Sequence, residues 1–272
     1  MCIIDPFVQI ATRQMVRELG DTGKAKEKAL EIVWDKYAVG TYEEWDTCKA
    51  WEPHAQMVLR YNYDSPRSHL RQAYLLYCGA TYAYHRGKLK IAEEKVGGNI
   101  HIRTLHSDSI EPLQTLQPLS LLSSVYVGQE RSTEAEELRK QILRIRTEAL
   151  GSEHPETLGD IASRATIYMH QQLWTEAEEL LVPLLAKNKR VLGAENSDTL
   201  TAVTNLTVIF NHQKQLEKST ELNKEVLETE ERMLGADHPH TLTSKHNLAI
   251  LDNDAAGRKA AAVLEAQVLE TR

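Results

Sequence analysis

LGSEHPETL at residues 150–158, LGAENSDTL at 192–200 and LGADHPHTL at 234–242 follow one another at a spacing of 42 residues. Each runs Leu-Gly, a short and mostly polar stretch, then Thr-Leu. The interval continues outward from these three segments. Thr115-Leu116 stands one period before Thr157-Leu158. Tyr84, Tyr126, Tyr168 and Phe210 form an aromatic column, and Leu138, Leu180, Leu222 and Leu264 an aliphatic one. Ala135, Ala177 and Ala261 mark a column of small residues, with Ser219 at the fourth place. So many columns on one period indicate a repeat architecture, in which no unit covers its apolar face alone and stacking supplies the core.

Within a period the pattern predicts two helices. Pro155 suits a first helical turn, where its missing N–H costs nothing, and Glu156 complements the positive helix end. Leu158, Ile161, Ala165 and Tyr168 then recur at helical spacing on one face. A second helix is predicted from about Trp174 to Leu192, with Ala177, Leu180, Leu181, Leu184 and Leu185 turned inward. Gly193 follows, where a left-handed residue closes a helix. Small residues in the Ala column let the two helices approach closely. Propeller blades of similar period require four alternating strands, and that alternation is absent; a HEAT-type array stays compatible with the period. The expected class is all-α, a solenoid of antiparallel helix pairs.

The 272 residues are 42% apolar and 26% charged, as in a folded chain. A net charge of -7 and the lack of a long basic run give nucleic acid no electrostatic footing. Cys2, Cys48 and Cys78 are odd in number and widely spaced, which fits neither a disulfide framework nor a zinc site. The opening MCIIDP is too short for a signal segment, and no apolar run is long enough to span a bilayer. The expectation is a cytoplasmic protein without membrane contact. No phosphate loop, nucleophile elbow or HExxH motif occurs, so neither metal nor cofactor is expected. Glu176, Glu178 and Glu179 read as a solvated outer face.

The segments LGSEHPETL, TEAEEL, LGAENSDTL, LGADHPHTL and HNLAI resemble the 42-residue tetratricopeptide repeats of kinesin light chains, in the form found in fungal proteins. There, similar repeats follow NB-ARC or NACHT nucleotide-binding domains. FVQIATRQMVRELG (7–20) and YEEWDTCKAWEPHAQMVL (42–59) look like the helical connector that precedes such repeats. The resemblance implies a connector over 1–65 and an array of about five helix pairs over 66–272, wound as a right-handed superhelix with a concave groove. It departs from the pattern in places. Gly97-Gly98 is expected to interrupt a second helix, SIEPLQTL replaces the His-Pro motif at 109–116, and Asp252-Asn253-Asp254 replaces an aromatic and a Gln. The last helix has no polar cap before Arg272, which suggests truncation, fraying or a homodimer through that end.

Carrying the groove columns over residue by residue gives Tyr74, Tyr77, Thr81, Tyr84 and His85 from the first pair. Ser120, Ser124, Ser163, Met169 and His170 follow from the next two. The fourth gives Thr204, Asn205, Asn211 and His212, and the fifth His246, Asn247 and Asn253. Asn205 and Asn247 fall in the column whose amides, in the family, pair with the backbone of a bound peptide; an amide suits this because it donates and accepts. They could equally bond neighbouring helices. The implied partner is a protein or peptide. A second reading uses the tyrosine cluster as a small-molecule pocket, with His85 as proton carrier and Tyr77 or Tyr84 as donor in metal-free isomerase- or cyclase-type chemistry. Helix packing is the third use for the same side chains.

Overall fold

The computed structural model describes residues 22–37, 45–106, 112–236 and 239–251. Two helices come first, α1 (Thr22–Lys36) and α2 (Trp45–Val58). Next come α3 (Pro66–His85), α4 (Leu89–Leu105), a 3-10 turn at Pro112–Thr115 and α5 (Leu116–Gly128). The repeats continue with α6 (Ser132–Leu150), α7 (Pro155–His170), α8 (Trp174–Val191), α9 (Ser197–His212), α10 (Leu216–Leu234) and α11 (Pro239–Leu251). No strand occurs among the described residues. Nor, among them, is any helix long and apolar enough to cross a membrane. The chain divides into two units, residues 1–138 and 139–272. Asp252, Asn253 and the C-terminal end expected to self-associate lie outside the described residues.

In the first unit α1, α2 and α3 share one core. Leu30, Val33 and Tyr37 meet Ala55, Val58 and Tyr63, with Leu75 and Cys78 from α3. A polar link ties the same helices to α4. The Tyr37 hydroxyl donates to Glu52, and Lys95 Nζ donates to Glu52 Oε1 at 2.6 Å. Gly79 makes this reach available, since a Cβ there would stand 2.7 Å from Lys95 Nζ.

The expected break at Gly97-Gly98 is not found. Helix α4 runs through both glycines without interruption. A Cβ on Gly98 would lie 3.2 Å from Leu76 Cδ1, whereas one on Gly97 meets nothing within 4 Å. Gly98 thus brings α4 close to α3, where the Asn99 side chain donates to the Ala73 carbonyl. Packing across that close approach offsets the low helix propensity of the pair.

The second unit is built on the predicted apolar face. Leu158 and Ala165 of α7, Leu181 and Leu184 of α8, and Leu206 and Ile209 of α9 are buried in one cluster. Ile161, Tyr168 and Leu180 pack on its margin. The small column behaves as expected, since Ala135, Ala177 and Ser219 are fully buried. His154 and Asn196 cap α7 and α9 by accepting the backbone N–H two residues on. Gly193 takes a left-handed φ of 94° after α8.

A second set of left-handed residues was not foreseen. Gly87, Glu130, Gln172 and Lys214 all have φ between 59° and 70°. They turn the chain from the first to the second helix of each pair. The following N–H closes the turn on the aromatic column or its neighbour, as in Leu173 to the Tyr168 carbonyl at 2.9 Å and Gln215 to the Phe210 carbonyl at 2.8 Å.

Candidate functional site

The tyrosine cluster on α3 does not converge. Tyr74 packs on the α1–α2 core and meets Trp34 edge to face at 6.1 Å. Tyr84 packs instead with Leu89, Ala92 and Val125 of α4 and α5. Ten residues of helix, about 15 Å, separate the two. Tyr77 is half-buried, and burial raises its hydroxyl above the ordinary value. Thr81 Oγ1 donates to the Tyr77 carbonyl at 3.0 Å. His85 is exposed and lies edge-on to Tyr84. These side chains share a helix face but have different neighbours.

In the second unit the histidines also part company. His170 is exposed at the end of α7. His212 stacks on Trp174 with ring centroids 4.0 Å apart and planes 7° from parallel, joining the end of α9 to the start of α8. Asn211 is half-buried, with its side-chain oxygen unpaired. His246 is half-buried on α11, and Asn247 lies on the same helix.

Asn205 has a different setting. It lines a notch of about 230 Å³ between α7 and α9. Gly159, Ala162, Ser163 and Thr166 form the α7 wall, and Asp198 and Thr201 join Asn205 on α9. Asn188, near the end of α8, completes it. Asn205 makes no side-chain hydrogen bond to any described residue. Asn188 is 2% exposed. Its Nδ2 donates to the Asp198 carbonyl at 3.3 Å, and its Oδ1 has no partner. Ser163, named from the sequence, is therefore brought together with Asn205; Asn188 and Asp198 were not foreseen.

The family model for the tetratricopeptide repeat matches residues 115–156, 162–198 and 199–240, which include every residue of the notch except Leu158 and Gly159. These segments are tetratricopeptide repeats. The chain is similar in structure to the kinesin-light-chain-type, nearly identical TPR-like repeats of Podosopora anserina. The identity there is 26% and the TM-score 0.60, covering 77% of this chain and 96% of that one. RapI in its apo form is similar at 11% identity and TM-score 0.69, over 88% and 84% of the two chains. The Rap conjugation gene regulator of plasmid pLS20, solved with the Phr* peptide, matches at 10% identity and TM-score 0.63, over 97% and 72%. No curated protein sequence matches the chain.

Successive repeats differ in the polar groups beside the notch. One period before Asn188 stands Arg146, one before Leu181 stands Arg139, and one before Ala202 stands Asp160. Asp160 is 3% exposed and binds both arginines, Arg146 Nη1 at 2.8 Å and Arg139 Nη1 at 3.4 Å. Arg146 also donates to the Glu156 carbonyl at 3.3 Å. Two guanidinium groups and a carboxylate fill that interface. One repeat on, Asn188 lines the notch, while Leu181 and Ala202 are buried in the apolar core. A sequence signal for this did exist. The column of Arg146, Asn188 and Glu230 stays polar where the flanking helix is buried, and it becomes visible once the repeat is aligned with itself.

Proposed function

We propose that the chain is a scaffold protein whose tetratricopeptide array binds an extended peptide across α7 and α9, with Asn205 as a backbone anchor. The observation carrying this reading is the Asn205 amide, unpaired within the described residues at the mouth of a notch between two first helices. A free amide there can donate to and accept from one peptide unit, which holds an extended chain in register without selecting side chains. The likeness to the Rap regulator solved with a peptide supports it at the level of fold. The small-molecule reading has less support, because Tyr74 and Tyr84 belong to separate apolar clusters.

The test is selection of a randomised dodecapeptide library on the full chain, followed by fluorescence anisotropy on the enriched peptides. Hydrogen exchange should show protection on α7 and α9, and Asn205→Ala should weaken binding by about fivefold, the effect of losing a hydrogen bond of ordinary strength. Failure to retain any peptide, or equal binding by Asn205→Ala, overturns the reading.

A further inference from the structure

We propose that the notch beside Asn205 is a subsite for a basic side chain, so that the bound peptide carries a lysine or arginine at one fixed position. The inference rests on the peptide-binding reading and specifies its ligand.

The hydrogen-bond inventory of the walls leads to this assignment. A hydroxyl has a single proton to donate. Ser163 Oγ gives its proton to the Gly159 carbonyl at 2.9 Å, Thr166 Oγ1 to the Ala162 carbonyl at 3.1 Å, and Thr201 Oγ1 to the Ser197 carbonyl at 2.8 Å. All three can offer a ligand only lone pairs. Asn188 commits one of its two Nδ2 protons to the Asp198 carbonyl, and its buried Oδ1 is unpaired. Asp198 adds a carboxylate that has no ion-pair partner among the described residues. Donors remain only on the two amides, the second Nδ2 proton of Asn188 and those of Asn205.

An acceptor-rich recess of this kind discriminates among ligands. A carboxylate or phosphate would face oxygen lone pairs and a negative charge. An aliphatic side chain would displace water from the Ser163, Thr166 and Thr201 hydroxyl oxygens and offer no donor in return. An ammonium brings three donors and a guanidinium five. The positive end of α9 works against a cation, but it amounts to about half a charge, and the Asn196 cap already takes up the Asp198 N–H at 2.9 Å. Three cations on the neighbouring elements are held elsewhere. Arg190 pairs with Glu153, Lys189 with Glu225 at 2.5 Å and Arg232 with Glu195 at 2.6 Å.

The experiment aligns dodecapeptides selected on the full chain and on Asp198→Asn, whose exposed side chain permits folding, as circular dichroism will verify. The expected result is one position enriched in Lys or Arg on the wild type, with that enrichment absent on Asp198→Asn. In a synthetic peptide, replacing the basic residue by norleucine should cost about tenfold in affinity on the wild type and little on Asp198→Asn, as for two groups that interact directly. Basic enrichment spread over every position and surviving Asp198→Asn would reflect the net charge of -7, and would overturn the inference. Retained peptides without a basic position would overturn it too, while leaving the peptide-binding reading in place. Retention of no peptide removes both.

Discussion

Arg146 and Asn188 occupy the same position in successive repeats, yet Arg146 donates to the buried Asp160 while Asn188 lines a notch and keeps its own buried oxygen unpaired. A long, ion-paired cation is thus exchanged for a short amide at the wall of a recess, and Asp160 gives way to Ala202 one period on. The two interfaces differ in what they owe to charge.

Asp160 neutralises two guanidinium groups in a buried setting. Asp160→Ala should therefore destabilise the chain by about 3–5 kcal/mol in urea unfolding, because both arginines lose their shared counter-ion. Replacing Arg139, Arg146 and Asp160 together by apolar residues of similar volume should recover most of that loss. A small effect of the single substitution would show that water reaches the arginines.

Glu52 predicts a pH dependence. Burial alone would raise its carboxyl, but Lys95, Tyr37 and Gln56 outweigh burial and hold it below the ordinary 4.5. A depressed carboxyl stabilises the fold above its unfolded value, and the contribution is lost as pH falls through the folded value. Wild type should lose stability from about pH 4.5 downward more steeply than Glu52→Gln. Parallel acid limbs in thermal melts of the two proteins would contradict the link.

The adjacent glycines of α4 should respond unequally. Gly97→Ala should add about 0.8–1 kcal/mol of helix stability, since nothing obstructs its Cβ. Gly98→Ala should gain less, because Leu76 must move away from a contact of 3.2 Å. Denaturant midpoints of the two variants give the ordering directly.

Backbone sign decides a further pair. Gln172 sits at φ 59° and Gly193 at φ 94°. Gln172→Gly should stabilise by about 1 kcal/mol, and Gly193→Ala should destabilise by a similar amount, since a Cβ is disfavoured in the left-handed region. Equal and opposite shifts in urea midpoint are the expected signature.

The 42-residue period, the helix pairs, the Pro155 start, the Gly193 terminus and most of the second core were legible in the sequence. Each depends on local propensity or on apolar spacing within one helix, and Pro155, Ala177 and Gly193 do their work within a few residues of themselves. Asn205 was also legible, as a place in a column. The uninterrupted course of α4 was not, because Gly98 is tolerated through Leu76 of a different helix. Nor was the divergence of Tyr74 and Tyr84, which follows from what lies beside each end of α3. The notch belongs wholly to tertiary structure. It is a volume between three helices with Asn188 in its wall, and the acceptor character of that wall appears only once each hydroxyl proton is traced to a carbonyl. Sequence set the repeat because periodicity is carried along one chain; the site had to await the fold because space and unpaired atoms are properties of surfaces brought together.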